Sequence, residues 1–456
     1  LTLGASGDTV ALGSGASQTG FGRTGTVDWI TTPKVTGDSP ITAVTGKGYF
    51  LNTTAGQITV NLPAGAAGSI VSLADYAGTW QTNRVTVSPN GTEKMGGINA
   101  DVSLSTEGQS VTLVYVDSTQ GWVNTMDSTS NIRGDTYVIA TVAGACNTLA
   151  TAPCCANTKI ATFKGPGTFC VSQIGGTAAN NVVSYLVIAG GGSGGSDLTR
   201  SAGGGGGAGG VREYKSSATP YTASPLNGNP DAGGSGTAVT VAASPYTITV
   251  GGGMAAVPAP SPINSNAGNP STFSTITSTS GGAGATNNST LSPPGASIGV
   301  AGGSGGGASF YTLPPGSGVG GVGNTPPVNP AQGTNGGAAA STPSYGSGGG
   351  GGAGVVGTNA TPSAGGPGGN GVTTLISATP TVYGGGGGGG TWNGGGPVGT
   401  GGTGGGGAAG ACGGGCGTAG TVNLGGGGGS ASGNAPGGRV GGNGGSGIVI
   451  IRYKFQ

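Results

Sequence analysis

Histidine is absent from the chain, and charge is scarce: 6% of its 456 residues are Asp, Glu, Lys or Arg. Without histidine there is no Ser-His-Asp triad, no Cys-His pair and no imidazole ligand for a metal. The 14 basic and 13 acidic residues leave a net charge of +1. No basic patch exists to neutralise phosphates, which excludes nucleic acid as an expected partner. No run of about 18 or more apolar residues occurs, so no membrane span is expected. The opening Leu1-Thr2-Leu3-Gly4 has neither a charged n-region nor an apolar h-region, and no initiator Met, so the chain reads as a fragment or a processed product. Paired acids for glycoside cleavage could come only from scattered carboxylates such as Asp75, Glu93, Asp101, Glu107 and Asp117. Turns and solvated faces account for each of these, and neither enzymatic activity nor a cofactor is expected. The many Gly-x-Gly-x-x-Gly matches are composition, because no strand–helix unit follows them.

Six cysteines are present. Cys146, Cys154, Cys155 and Cys170 fall in one short segment, and Cys412 and Cys416 form a local pair. All six are disulfide candidates, with their connectivity open. A four-thiolate zinc site at the first four is conceivable, but vicinal Cys154-Cys155 is not the usual C-x2-C spacing. Disulfides or plain buried thiols are the stronger expectation, and no metal is assigned.

Three textures follow one another. Residues 1–36 hold short alternating runs separated by Gly-Ala-Ser turns. Such runs bury little within one chain; they suit a trimeric β shaft in which neighbouring copies supply the core, or else a flexible linker. Residues 37–128 read as a small β-sandwich or jelly-roll-like domain. Its candidate strands are 48–52, 57–62, 69–75, 84–88, 109–117 and 121–124, each with β-branched or aromatic alternation between turn residues. Asn90-Gly91 is a tight-turn signal. Residues 133–456 open with strand-like text at 135–141, 159–163, 167–172 and 182–189, and become Gly-rich from 190 to 447. They close on Ile448-Val449-Ile450-Ile451-Arg452-Tyr453. Two apolar runs bracketing a Gly-rich tract imply an insertion that leaves a β base, 133–189 and 448–456, and returns to it. Tyr185-Leu186-Val187-Ile188 and the closing run are therefore expected in one sheet or a shared core.

The tract is expected to fold. Disordered segments usually stay soluble through charge, yet residues 232–438 hold no Asp, Glu, Lys or Arg. Apolar and aromatic residues are interleaved with the Gly runs, which a pure linker does not need. An ordered solution exists in polyglycine II, which has three residues per turn and about 3.1 Å rise, with N–H and C=O pointing outward. Those groups are satisfied only by close neighbours, and only Gly lacks the side chain that keeps neighbours apart. Runs at 203–207, 348–352, 384–390, 404–407 and 425–429 fit this requirement. No strict Gly-X-Y register persists, so the tract is not collagen. The fold class expected is all-β with a polyglycine-II-type bundle. Loops between the Gly runs would sit at the bundle ends, and aromatics there can stack on sugars or anchor a protein. Phe310, Tyr311, Tyr345, Tyr383 and Trp392 are the candidates, with packing on the bundle's own flank as the alternative for each.

The text from Val183 to Gly192, the Gly runs, and the closing Gly444-Gly445-Ser446-Gly447-Ile448-Val449-Ile450-Ile451-Arg452-Tyr453 resemble the Gly-rich C-terminal domain of bacteriophage tail fibres. Gly48-Tyr49-Phe50, Thr59-Val60-Asn61-Leu62-Pro63, Ala74-Asp75-Tyr76 and Leu113-Val114-Tyr115-Val116-Asp117 through Gly121-Trp122 are similar to the β domain upstream in such fibres. The tract also resembles the polyglycine-II adhesin tips of T-even-like phages, where fibre and adhesin are separate chains in some cases; here the two are fused. The resemblance implies an extracellular virion component, homotrimeric in its shaft and joined to other tail proteins. It would bind a host surface glycan or outer-membrane protein. A purely structural fibre or coat component and an ice-binding protein are the competing readings.

Overall fold

In the computed structural model the described residues are 27–128, 136–153, 155–197, 202–229, 237–258, 267–286, 298–309, 318–341, 345–392, 396–433 and 438–456. The chain forms two compact units that divide between Gly134 and Asp135.

The first unit contains β1 (Asp28–Val35), β2 (Ile41–Thr42), β3 (Lys47–Asn52), β4 (Ile58–Asn61), β5 (Ile70–Asp75), β6 (Val85–Ser88), β7 (Val102–Leu104), β8 (Ser110–Tyr115) and β9 (Trp122–Ser128). They form two sheets, ordered β1-β3-β5-β8-β9 and β2-β4-β6-β7. Alternation puts Leu51, Ile58, Val60, Val71, Leu73, Val85, Val87 and Val111 into one core with Trp80 and Trp122. The expected sandwich is present, but its winding is not jelly-roll-like. β1, β3 and β5 pair in parallel, as do β2, β4 and β6. The chain switches sheets after each of these strands, so consecutive strands face each other and strands two apart become neighbours. Antiparallel pairing begins only at β5–β8 and β6–β7. Residues 28–35, expected in the shaft, are the edge strand of this unit: Trp29 covers Gly48, where an added Cβ would lie 2.6 Å from its ring. Residues 1–26 of the proposed shaft lie outside the described residues. The Asn90-Gly91 turn is formed, with Glu93 N–H donating to Asn90 O at 3.0 Å, but it does not close a two-residue hairpin.

The second unit contains β10 (Ile139–Ala143), β11 (Thr148–Ala152), β12 (Cys155–Phe163), β13 (Gly167–Gln173), β14 (Val182–Ile188), β15 (Val211–Tyr214), β16 (Val239–Thr240), β17 (Pro245–Thr249), β18 (Ser271–Phe273), β19 (Ile276–Ser278), β20 (Val372–Thr374), β21 (Thr381–Tyr383) and β22 (Ile448–Lys454). The central sheet runs β11-β12-β22-β14-β15, and β10-β13-β17-β18-β19 packs beside it. The bracketing strands pair as expected: β14 and β22 are antiparallel, with Ile188 opposite Ile448 and Tyr185 opposite Ile451. Their unbroken apolar text reflects burial on both faces. Tyr185, Val187, Val449, Ile451 and Tyr453 enter one core, and Leu186, Ile188, Ile448 and Ile450 the other. The Gly-rich tract returns to this base more than once, because β15 to β21 all fall inside it.

Above the base the Gly runs show a threefold hydrogen-bond period. Gly203, Gly206 and Gly209 donate to Ala431, Gly428 and Gly425 on one neighbour. Gly204, Gly207 and Gly210 donate to Ala285, Gly282 and Thr279 on a second, and Gly205 and Ala208 to Gly348 and Gly351 on a third. Its carbonyls accept from three further segments: Gly192 and Gly195, Ser304 and Gly307, and Gly387 and Gly390. This segment therefore has six neighbours. Segment 384–392 is built alike. It donates to 404–407, 366–369 and 203–206, and accepts from 427–433, 399–402 and 347–353. Three residues per turn with every third residue addressing the same neighbour is polyglycine II. A Cβ on Gly204, Gly205 or Gly206 would overlap the carbonyl oxygen of Gly307, Gly387 or Gly192. Gly206→Val is expected to destabilise the second unit by about 3 kcal/mol or more, from overpacking and broken backbone bonds. Exposed Thr358→Val should stay within about 0.5 kcal/mol. Calorimetric melting of both variants checks this, and equal melting would remove the tight lattice.

Candidate functional site

The bundle has two unlike ends. At one, segments run into β14, β15, β21 and β22. At the other lie Asp197, Arg439, Trp392 and Gly433. Lateral bonds put several of these at one level. Asp197 and Arg439 exchange backbone bonds at 2.9 and 3.0 Å, Ser347 donates its N–H to Gly390 O at 2.9 Å, and Gly433 donates to Thr391 O at 3.2 Å.

Two of the five aromatic candidates meet at this end. The Tyr345 and Trp392 rings lie 5.2 Å apart at 57°, both half-buried. Tyr345 has a φ of 46°, in the left-handed region, as its segment begins. The Trp392 indole N–H is buried and has no acceptor among the described residues. Phe310 and Tyr311 lie outside the described residues, whose flanking Ser309 and Gly318 sit side by side. Tyr383 is corrected: it ends β21 at the base, is 3% exposed, and packs with Ile188, Val211, Ala353 and Val372. Its position at the N-terminal edge of a Gly run suited either bundle end; the strand pairing Val372 with Tyr383 decides for the base.

Among the described residues Cys146, Cys170, Cys412 and Cys416 are not joined in a disulfide, which is the plain-thiol alternative for these four. Cys412 Sγ donates to Gly396 O at 2.7 Å and lies 3.2 Å from Thr391 Oγ1, engaged with a neighbouring segment and not with Cys416. Cys170 sits within β13, in register with Thr141 and Pro245, which places no cysteine opposite it. Cys155 accepts from Arg452 Nη2 at 3.3 Å, and Cys154 lies outside the described residues. No group of three or more His, Cys, Asp or Glu is placed to hold a metal among the described residues. Three of the scattered carboxylates serve turns or loops. Asp75 accepts from Gly78, Thr79, Trp80 and Gly108, Asp117 from Thr119 and Gln120, and Glu93 from Gly65 and the Trp122 indole.

Charged side chains that composition left unremarked concentrate under the base sheet. Arg452, fully buried, projects from β22 on the face of Ile448 and Ile450. Its guanidinium lies 5.3 Å from the Tyr221 ring centroid and donates to Pro220 O at 3.3 Å. Glu213, on β15, accepts from Thr374 Oγ1 at 2.6 Å, Ser224 N–H at 2.9 Å and Tyr221 Oη at 3.1 Å. Burial raises its pKa against those bonds, and burial with the Glu213 charge raises Tyr221. Ser184 bonds Thr219 and Ser216 nearby. The cluster pins the 215–227 loop and the β20–β21 hairpin to the sheet. Only the period-2 alternation of the closing run, with Arg452 on its apolar face, signals it in the sequence.

An all-β protein with a polyglycine-II bundle is thereby defined. The profile of the glycine-rich domain family matches residues 166–454, and the chain belongs to that family. No curated protein matches the chain.

A carboxyl whose pKa is raised on folding holds its proton more tightly in the native state. Its contribution is present below the ordinary value of 4.5 and is lost as pH rises through the raised native value. The stability advantage of the wild type over Glu213→Gln is expected to be largest near pH 4 (about) and to shrink toward pH 7 (about). Denaturant titrations across that range test it; an advantage that grows with pH would reverse the assignment.

Proposed function

We propose that this chain is the distal, receptor-binding part of a bacteriophage tail fibre, acting through the end of its polyglycine-II bundle opposite the β base. The observation that carries the reading is the bundle's asymmetry. One end is joined to the sheets and the buried Arg452–Tyr221–Glu213 cluster; at the other, away from the sheets, Tyr345 and Trp392 pack together. A lattice whose interior admits only small side chains makes a stiff support, and recognition falls to residues at the end away from the sheets. A half-buried aromatic pair suits a sugar ring or an apolar protein anchor. The resemblance of the bracketing strands and the upstream β domain to tail fibres supports a virion setting, a trimeric shaft and a host glycan or outer-membrane protein as receptor.

Phage carrying this fibre with Tyr345→Ala and Trp392→Ala are expected to adsorb about tenfold or more slowly, with unchanged melting of the fibre. Exchange of residues 309–316, 338–346 and 391–398 between related fibres should move host range with the loops. Unchanged adsorption and host range in both experiments would favour a purely structural fibre component.

A further inference from the structure

The first unit holds a cleft unrelated to the glycine bundle. It has a volume of about 360 Å³ and opens between β7 and β9, the edge strands of the two sheets. Its wall is apolar: Val102 and Leu104 from one sheet, Val111, Leu113 and Trp122 from the other. The Trp122 indole N–H donates to Glu93 at 3.1 Å, which fixes the ring in the core at the floor of the cleft.

Polar groups are delivered to this apolar space by a β-bulge. Along β8 and β9, Thr112 pairs with Met126 but Leu113 pairs with Asn124, so Thr125 is the extra residue. Directly opposed residues share a face. Asn124 therefore lies on the side of buried Leu113, and Asp127, opposite buried Val111, lies on that same side. Without the bulge, strict alternation would send one of the two to the outer face. Both line the cleft together with Gln109.

Gln109 is 9% exposed, and its Nε2 donates to the two Asp127 carboxylate oxygens at 3.2 and 3.4 Å. Those bonds settle which end of the amide is nitrogen. Gln109 Oε1 is then a buried acceptor with no donor among the described residues. Such an orphan costs free energy unless something donates to it. The cleft thus presents acceptors (Gln109 Oε1 and the Asp127 carboxylate), one amide of mixed character at Asn124, and a broad apolar wall.

We infer that this cleft binds a neutral pyranose, its hydroxyls donating to Gln109 and Asp127 and its C–H face lying on Val102, Leu104 and Leu113. The volume is at the lower end of small-ligand pockets, about 300–1,000 Å³, and suits one ring. Each Asp127 carboxylate oxygen keeps a further lone pair to accept a hydroxyl donor. The inference is independent of the bundle end, and failure of receptor binding there leaves it standing.

Saturation-transfer NMR on the whole chain tests it, with D-glucose, D-galactose, D-mannose and N-acetyl-D-glucosamine as probes and propylammonium as the cationic comparator. At least one sugar is expected to show transfer. Gln109→Leu and Leu104→Trp, the second filling the cleft, should each weaken that sugar about tenfold or more. Circular-dichroism melts identify a variant that has not folded, in which case the other variant decides. Three results overturn the proposal: no transfer from any sugar, transfer that persists in a folded Leu104→Trp, or propylammonium displacing the sugar from the wild type.

Discussion

Lateral backbone hydrogen bonding between polyglycine-II segments is the interaction on which the second unit depends. The N–H groups of 203–210 and the carbonyls of 203–208 point sideways and meet other segments, and six neighbours surround the run. That arrangement demands an approach so close that a methyl group at Gly205 would occupy the same space as a carbonyl oxygen. Where the lattice admits a side chain it is small, as at Ala202, Ser193, Ser304 and Ser430, all fully buried. The entropy lost by ordering so many glycines is large. It is offset by a density of backbone bonds that an ordinary core does not reach, so the bundle needs few apolar side chains.

The β base complements this lattice. Polyglycine II lacks side chains to specify which segment lies beside which, and the sheets supply that information. β14 and β22 lock the first and last segments together, and β15, β18–β19 and β20–β21 fasten intermediate ones. The buried Glu213 and Arg452 fit this role: a polar cluster satisfied in one arrangement disfavours alternative packings of the hairpin and loop above it. The same sheet is thus apolar where it must be stable and polar where it must be unique.

Much of this was legible in the residues. Strand-forming text at 48–52, 69–75, 84–88 and 182–189 corresponds closely to β3, β5, β6 and β14, because alternation and turn residues agree locally. The β14–β22 pairing followed from two apolar runs flanking a charge-free tract. Sheet order in the first unit was not legible: parallel pairing of β1, β3 and β5 depends on the chain crossing between sheets, which leaves no periodic mark. Residues 28–35 were assigned to the shaft because they follow directly on short alternating runs separated by Gly-Ala-Ser turns, and nothing in that text marks where a shaft would stop. Of the aromatic candidates, Tyr345 and Trp392 meet at the end opposite the base, while Tyr383 was misplaced because a Gly run has no polarity of its own. The cysteines were not legible for a related reason: proximity in sequence, as at Cys412 and Cys416, says nothing about which neighbour a thiol faces across the lattice.

The threefold period has a genetic consequence. A polyglycine-II segment assigns every residue to one of three directions, and the assignment repeats after three residues. Inserting one or two residues inside a segment turns everything beyond it toward the wrong neighbours; inserting three restores the phase and lengthens the segment by about 9 Å. The folded lattice therefore has a reading frame of its own, laid over that of the gene. Segment lengths can drift only in steps of three, whereas the reversals between segments, lying outside the lattice, carry no such count and are free to change by any number.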